Sequence, residues 1–265
     1  MRLLFIGDIF STIGRRVLAD RLPALLEERQ IDVCVANGEN AAGGRGLTGN
    51  IWKKMRKYGV TAVTGGNHSF SIPDSAYRFM DEPMVLRPHN FPPGNIGKGT
   101  AICTLPDGRL LGIVNLQGRT FVHEALDCPF RTGLAAVEEL REQTPCILVD
   151  FHAEATSEKG ALARFLDGKV SAVVGTHTHV QTADERILPC GTAFITDTGM
   201  TGPEDSIIGM KHDQVIRRFL LQTHVRFEPS ESGAMLNAVI IDIDDASGKA
   251  LAIERIFERI TFSRE

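Results

Sequence analysis

Polar residues with metal-binding chemistry follow short apolar runs of this sequence, at the point where each run ends. The runs are strand-like, and the segments between them carry apolar residues at helical spacing, such as Leu18, Leu22 and Leu25. In α/β sheets the carboxyl ends of the strands meet at one edge, where ligands bind. Five strand ends can therefore deliver side chains to one place, and the candidates are Asp8, Glu39, Asn40, Asn67, His68, His152, His177 and His179.

The alternation of strand and helix patterns predicts an α/β chain with a single domain over residues 1–265, without internal repeats or linker-like stretches. Strands are predicted at Arg2–Ile6 and at residues 31–36, 60–64, 101–105, 110–116, 146–151, 170–174, 187–188, 192–196, 234–243 and 251–260. Helices are predicted at residues 14–30, after an N-cap at Thr48, from Pro73 through residue 80, and at residues 132–143, 157–166 and about 213–221.

These elements predict two packed sheets with helices outside, parallel in the first half of the chain and mixed later. The alternating runs at residues 234–243 and 251–260 predict half-buried antiparallel strands, and Asp107-Gly108 indicates a hairpin turn. An open, doubly wound single sheet is the alternative arrangement.

Composition limits the range of partners and compartments. The chain has 43% hydrophobic residues and a formal charge of −4, which excludes disorder and argues against a protein that grips duplex DNA. Apolar runs fall well short of the roughly 18 residues of a membrane span. The five cysteines include no C-x-x-C pair, which argues against a disulfide framework or a thiolate zinc site. We therefore expect a cytoplasmic protein without a membrane partner.

The candidate residues offer carboxylate, amide and imidazole donors without a thiolate, a set that favours Mn, Fe or Zn over Mg. Six or seven ligands are too many for one tetrahedral zinc ion, but they suit two ions that share a carboxylate. Side chains alternate along an extended strand end, so His177 and His179 are expected on one face, where they can serve two adjacent ions.

The motifs at the strand ends, in this order and over essentially the whole chain, resemble those of the calcineurin-like metallophosphoesterases, and within that superfamily the YmdB-like subgroup. The resemblance implies an α/β fold with four layers, an α-β-β-α sandwich of two mixed sheets flanked by helices. It rests on Gly7-Asp8, Gly38-Glu39-Asn40, Gly66-Asn67-His68, His152-Ala153-Glu154-Ala155-Thr156 and Gly175-Thr176-His177-Thr178-His179.

The resemblance also implies roles for these residues. One metal ion is expected to be held by Asp8, Glu39, Asn40 and His179. The other is expected to be held by Glu39, Asn67, His152 and His177, with Glu39 as the bridge and His68 as the general acid. Two positions depart from the pattern: Phe10 stands where the wider superfamily has His, with Asn40 as its substitute, and Ser11 stands where the subgroup has Gly.

The activity implied by the resemblance is that of a phosphodiesterase with two divalent or mixed-valence ions, Fe or Mn first and Zn or Mg as alternatives. A metal-bridging hydroxide would attack the phosphorus of a cyclic nucleotide, 2′,3′-cyclic AMP or also 3′,5′-cyclic AMP. A homo-oligomer is expected at the level of the family. A phosphomonoesterase, an RNA-processing nuclease that takes an RNA end, and a regulatory metal-containing binding protein are the alternatives.

Simpler interpretations exist for single residues. Asp8 suits a helix cap, and Asn40 and Asn67 suit turns in glycine-rich loops. Glu154 either orients a ligand histidine or supports the fold. Arg45 belongs to a glycine-rich loop that is expected to be solvated, with a phosphate contact as the alternative.

Overall fold

The computed structural model describes residues 1–72 and 80–262 of the chain. The helices within these residues are α1 (Ser11–Glu28), α2 (Gly49–Tyr58), α3 (Pro129–Arg141), α4 (Thr156–Phe165) and α5 (His212–Leu221). The predicted helix that begins at Pro73 falls on residues 73–79, outside the described residues. No helix within the described residues is long and apolar enough to cross a membrane.

Two mixed sheets form the centre of the fold. The strands are β1 (Arg2–Ile6), β2 (Asp8–Ile9), β3 (Val33–Asn37), β4 (Ala62–Thr64), β5 (Thr100–Thr104), β6 (Leu110–Gln117), β7 (Ile147–His152), β8 (Ala172–Thr176), β9 (Arg186–Ile187), β10 (Ala193–Ile195), β11 (Met200–Thr201), β12 (Met235–Ile243) and β13 (Ala250–Arg259). The first sheet has the order β13-β12-β1-β3-β4, and the second has the order β5-β6-β7-β8-β10-β9. β2 and β11 pair separately as a short ladder.

The side chains of β1 show why the sheets stack. Leu3 and Phe5 point into an apolar cluster between the two sheets, whereas Leu4 and Ile6 join the cluster beneath α1 and α2. A third cluster joins the outer face of the second sheet to α3 and α4. The order of layers is therefore helix, sheet, sheet, helix, which confirms the four-layer α-β-β-α sandwich and rules out the open single sheet.

Strand directions agree with the expectation of parallel strands in the first half of the chain and mixed strands later, apart from the antiparallel β5–β6 hairpin, which Asp107-Gly108 indicates. β1, β3 and β4 are parallel and β12 runs antiparallel to β1, while β6, β7, β8 and β10 are parallel between antiparallel edges. The half-buried prediction is wrong for β12. It is buried on both faces because it lies between β1 and β13 and has a side-chain cluster on each side.

The first helix begins three residues earlier than predicted. Its N-cap is Phe10, and Ser11 has a φ of 58°, a left-handed conformation that favours glycine. This tight turn carries the chain from β2 directly into α1. A glycine, which the subgroup's pattern has at this position, adopts such a conformation without strain. Ser11 makes the same turn at a cost in backbone strain.

The N-cap of α2 gives a test of this local structure. Thr48 accepts a hydrogen bond from the backbone N–H of Ile51 at 3.3 Å, as the sequence predicted for a capping residue. We expect Thr48→Ala to lower the free energy of unfolding by about 1 kcal/mol, because an N–H of the first turn loses its acceptor. Urea unfolding followed by fluorescence of Trp52, the only tryptophan, measures the change.

Thr48→Ser is the matched control, since it keeps the hydroxyl and should retain most of the stability. The urea midpoint should fall in Thr48→Ala with an unchanged slope. Equal midpoints for the alanine variant and the wild type would contradict the capping role.

Candidate metal centre

Asp8 lies where β1 passes into β2, at the first of the strand ends. The turn requires Gly7, because a Cβ there would lie 2.0 Å from the backbone oxygen of Gly199. Asp8 is fully buried, and its Oδ2 accepts a hydrogen bond from the backbone N–H of His177 at 3.1 Å. It does not cap α1, whose N-cap Phe10 makes no side-chain capping bond. The structure thus turns this carboxylate inward.

Glu39 and Asn40 follow β3 and are both nearly fully buried. Glu39 Oε2 accepts a hydrogen bond from the backbone N–H of His68 at 3.1 Å, and its Oε1 lies 3.1 Å from Asn40 Nδ2. Asn40 Nδ2 also lies 3.4 Å from Asp8 Oδ1 and 3.1 Å from His179 Nε2. Asn40 therefore occupies the space between three other predicted ligands instead of serving only as a turn residue.

The Nε2 atom of His152 is the meeting point of the second group. It lies 3.1 Å from Glu39 Oε1, 3.0 Å from Asn67 Oδ1 and 3.0 Å from His177 Nδ1. Gly66 leaves room for this approach, because a Cβ there would lie 2.2 Å from Glu39 Oε2 and 2.3 Å from the His152 ring. Side chains from both sheets thus converge on one point.

A buried polar chain orients His152. Its Nδ1 lies 3.0 Å from the hydroxyl of Thr176, and that hydroxyl donates to Asp150 Oδ1 at 2.8 Å. Asp150 is fully buried, and its Oδ2 accepts hydrogen bonds from Asn37 Nδ2 and the hydroxyl of Thr64. Since Thr176 Oγ1 accepts from the Nδ1–H of His152, the Nε2 of the ring faces the cluster as a potential ligand.

His177 and His179 reach the site by a different route from the one predicted. β8 ends at Thr176, and the two histidines have φ angles of 103° and 65° instead of extended backbone. The strand-alternation argument is therefore wrong. His177 Nε2 lies 3.0 Å from Glu154 Oε2, so its Nδ1 faces the cluster around His152. Of the two interpretations of Glu154, this contact favours the orientation of a ligand histidine.

His179 turns to the other group. Its Nδ1–H donates to the backbone oxygen of Ile208 at 2.9 Å, which leaves Nε2 beside Asn40 and 3.8 Å from Asp8 Oδ1. The ring of Phe10 packs edge-on against the His179 ring, with centroids 5.6 Å apart. Phe10 thus supports the imidazole from the position where the superfamily has a ligand.

A buried ion pair holds the segment that carries these two histidines. Lys159 Nζ on α4 lies 2.6 Å from Asp197 Oδ2, and both side chains are excluded from solvent. Asp197 Oδ2 also accepts from the backbone N–H of Thr178 at 3.0 Å, while Oδ1 accepts from Gly199 at 2.8 Å. The pair therefore anchors the unusual backbone between His177 and His179.

His68 lies beside the converging donors, with its ring Nδ1 3.4 Å from Asn67 Nδ2. Its ring Nδ1 lies 3.2 Å from Ser71 Oγ, and the ring borders the cavity in front of the site. Burial lowers the pKa of His68, and the neighbouring carboxylate of Glu39 opposes that shift. The ring is thus available at the edge of the site, although its role as general acid stays a prediction.

The electrostatics of the cluster call for a cation at its centre. Burial alone would lower the pKa of His152, but Glu39 and Asp8 outweigh it and raise the pKa to about 9. Burial would raise the pKa of Glu39, yet His152 lowers it to about 2. Burial and the charge on His152 lower the pKa of His177 to about 3. A proton on His152 stabilises the oxygen atoms of Glu39 and Asn67 that converge on its Nε2. A metal ion at this point can stabilise the same atoms.

The spacing of the donors fits metal ligation. Ligand atoms about 2.1 Å from one ion and at right angles to each other lie about 3.0 Å apart, which matches the separations around His152 Nε2. Glu39, His152 and His177 form a group able to hold a metal ion. Glu39 also contacts Asn40, so this carboxylate touches both groups. All seven predicted ligands lie together, while their ligand roles remain predictions.

A cavity of about 680 Å³ opens in front of these residues. The ligand-type side chains Glu39, Asn40, His177 and His179 border it, as do His68, Glu154 and Arg45. Its volume lies in the range of small-molecule sites. Arg45 makes no side-chain hydrogen bond or ion pair with residues 1–72 or 80–262, and its exposed side chain leaves a cationic group in the lining of the cavity.

Several residues that shape the site escaped the sequence analysis. Asp150 could have been noticed, because a lone carboxylate within the apolar run of β7 indicates a buried polar role. Lys159 has no such signal, since an isolated lysine on a helix normally faces solvent. The contact of His179 with the backbone of Ile208 depends on a segment distant in sequence and cannot be seen from a local motif.

The fold and the donor set define a protein of the metallophosphoesterase type. Two solved structures resemble it over nearly the whole chain, each with a TM-score of 0.91. A hypothetical protein from Thermus thermophilus is 40% identical, and the match covers 98% of this chain and 99% of that one. A phosphatase from Mycoplasma pneumoniae is 33% identical, and the match covers 98% and 93% of the two chains.

The sequence comparisons identify the family. The family described as YmdB-like protein matches residues 4–256. A 2′,3′-cyclic-nucleotide 2′-phosphodiesterase from Bacillus subtilis (strain 168) is 48% identical over 257 residues, which cover 97% of this chain and 96% of that protein. The chain belongs to the YmdB-like family, and the resemblance noted from the strand-end motifs is confirmed.

The buried ion pair behind the histidine segment can be tested directly. We expect Lys159→Met to lower the free energy of unfolding by about 3 kcal/mol, because Asp197 is left buried without its cation. Arg164→Met on the same helix is the control, since Arg164 is exposed and its loss should change the stability by less than about 0.5 kcal/mol. Urea unfolding measures both, and equal effects of the two substitutions would contradict the anchoring role.

Proposed function

We propose that this protein is a metal-dependent phosphodiesterase that opens nucleoside 2′,3′-cyclic phosphates. The observation that carries the proposal is the convergence of Glu39, Asn67 and His177 on the Nε2 atom of His152, in front of a cavity of small-molecule size. The choice of substrate is supported by the name of the Bacillus subtilis relative, with which the chain shares 48% of its residues.

Two metal ions fit the residues present. Asp8, Glu39, Asn40 and His179 would hold one ion, and Glu39, Asn67, His152 and His177 would hold the other. Their nitrogen and oxygen atoms suit iron or manganese, with zinc also compatible. Asn40 would have to turn its amide so that the oxygen replaces the nitrogen now facing Asp8 and His179.

When bound, the two cations supply Lewis acidity, which lowers the pKa of water and neutralises charge on the phosphate. The protein's own residues orient the ligands: Thr176 fixes the ring of His152, Glu154 that of His177, and the carbonyl of Ile208 that of His179. Reorganisation during the reaction is thereby kept small, because each imidazole is already directed at the site.

The reaction adds water across one ester bond. A water oxygen bonds to phosphorus, the bond between phosphorus and O2′ breaks, and O2′ takes a proton, which leaves a nucleoside 3′-phosphate. His68, which borders the cavity, would give that proton. An anionic phosphate beside the ring favours its protonated form, which offsets the effect of burial on its pKa.

Metal retention tests the shared role of Glu39. We expect Glu39→Ala, reconstituted with Mn²⁺ and desalted, to hold less than half of the wild-type metal, because this carboxylate touches both donor groups. Mass spectrometry of the metal content measures this. Mn²⁺ should also raise the melting temperature of the wild type but not that of the variant. Glu142→Ala, at an exposed site, is the control. Full metal content in Glu39→Ala would refute the bridge.

The role of His68 is tested by turnover at constant metal content. We expect His68→Ala to keep its metal and to lose about 100-fold or more in kcat on 2′,3′-cyclic AMP, since the leaving O2′ then lacks a positioned proton donor. The wild type is measured in parallel on bis-p-nitrophenyl phosphate and 3′,5′-cyclic AMP. An unchanged kcat would remove His68 from the mechanism. Bound metal without hydrolysis of any phosphodiester would favour the binding-protein alternative.

A further inference from the structure

The cavity in front of the donor cluster continues beyond the residues needed for metal ions and phosphate. The ligand-type side chains form a polar part of its lining, and α5 with the segments on either side of it contributes a largely apolar part. A phosphate group would occupy only the polar part. The remainder of the cavity is therefore available to whatever is attached to the phosphate.

The apolar part of the lining is partly aromatic. Val215, Phe219 and Phe227 border the cavity there, whereas Ile208 borders it beside His179. Val215 is buried and anchors the helix, whereas Phe219 is 73% exposed and Phe227 is 41% exposed. Phenylalanine side chains exposed at the edge of a cavity leave apolar surface in water, which a flat apolar group can cover.

Cationic groups lie along the same cavity. Arg218 on α5 and Arg45 on the glycine-rich loop both border it, and neither makes a side-chain hydrogen bond or ion pair within the described residues. The amide of Gln222, which also borders the cavity, donates to the backbone oxygen of Phe219 at 2.9 Å. This part of the lining thus supplies aromatic rings and a guanidinium group, which suit stacking more than recognition of a base edge.

We propose that Phe219 and Phe227 form the nucleobase subsite of the enzyme and that α5 sets its preference among phosphodiesters. The inference rests on the proposed function. A nucleoside 2′,3′-cyclic phosphate has its charged phosphate on one side of the ribose and its base on the other, which matches the polar and apolar parts of one cavity. Since stacking area rather than edge contacts would hold the base, purines should be preferred to pyrimidines.

Leu220 provides a matched control for Phe219. The two residues are neighbours on α5 and are similarly exposed, Phe219 at 73% and Leu220 at 76%. Leu220, however, does not border the cavity. Removal of either side chain leaves the core unchanged, because both lie on the surface. A difference between the two variants would therefore report on the cavity and not on the stability of the helix.

The experiment compares two substrates that share the reacting group. One is 2′,3′-cyclic AMP, and the other is methyl β-D-ribofuranoside 2,3-cyclic phosphate, in which a methoxy group replaces the base. Wild type, Phe219→Ala and Leu220→Ala are reconstituted with Mn²⁺ and assayed for kcat and KM. Binding of adenosine 3′-phosphate, the expected product, is measured by calorimetry as a readout independent of turnover.

Phe219→Ala should lower kcat/KM for 2′,3′-cyclic AMP about tenfold, chiefly through KM, and weaken product binding by a similar factor. Its kcat/KM for the substrate without a base should stay within about twofold of the wild type, and Leu220→Ala should match the wild type on both. The wild type should also prefer 2′,3′-cyclic AMP to 2′,3′-cyclic UMP.

Equal effects of Phe219→Ala on both substrates, or no effect on either, would overturn the base subsite. A wild type that hydrolyses the substrate with and without a base equally well would overturn the subsite but leave the phosphodiesterase standing. A metal-loaded wild type that hydrolyses neither substrate would overturn the proposed function and the subsite with it.

Discussion

The carboxylate of Asp150 is the buried charge on which the site depends. It lies at the carboxyl end of the second sheet and accepts hydrogen bonds from Asn37 and Thr64 on the first sheet. Through Thr176 it also sets the ring of His152. Burial raises the pKa of Asp150 to about 6, against the pull of its hydrogen-bond donors. Because one carboxylate joins both sheets and a central donor, the sandwich and the site form together.

The ends of the strands are the part of this arrangement that the sequence predicts best. The apolar runs predicted β1, β3, β4, β7 and β8, and each run ends in residues that the structure brings together. Periodicity carries that information because buried parallel strands must be apolar up to the edge where ligands bind. Periodicity alone could not predict the four-layer stacking. That prediction came from the resemblance of the motifs to a known family.

What the sequence could not predict depends on contacts between distant segments. The left-handed backbone at His177 and His179 is held by Asp197 and Lys159, which lie in other parts of the chain. No local pattern distinguishes Lys159 from a lysine in solvent. The burial of β12 on both faces likewise follows from its neighbours in the sheet, whereas its alternating sequence indicated a half-exposed strand. Long-range packing overrides local preference in both cases.

The helix α5 contributes a single buried residue, Val215, to the body of the protein. The hydroxyl of Thr176, the carboxylate of Glu154 and the carbonyl of Ile208 orient the imidazoles, and all three lie outside α5. Substitutions along α5 would therefore leave these groups in the chain unchanged. With Phe219 of the proposed subsite on α5, base recognition and the reaction would depend on different segments of the chain. A variant changed only along this helix would then take a different substrate while its reactive centre stayed the same.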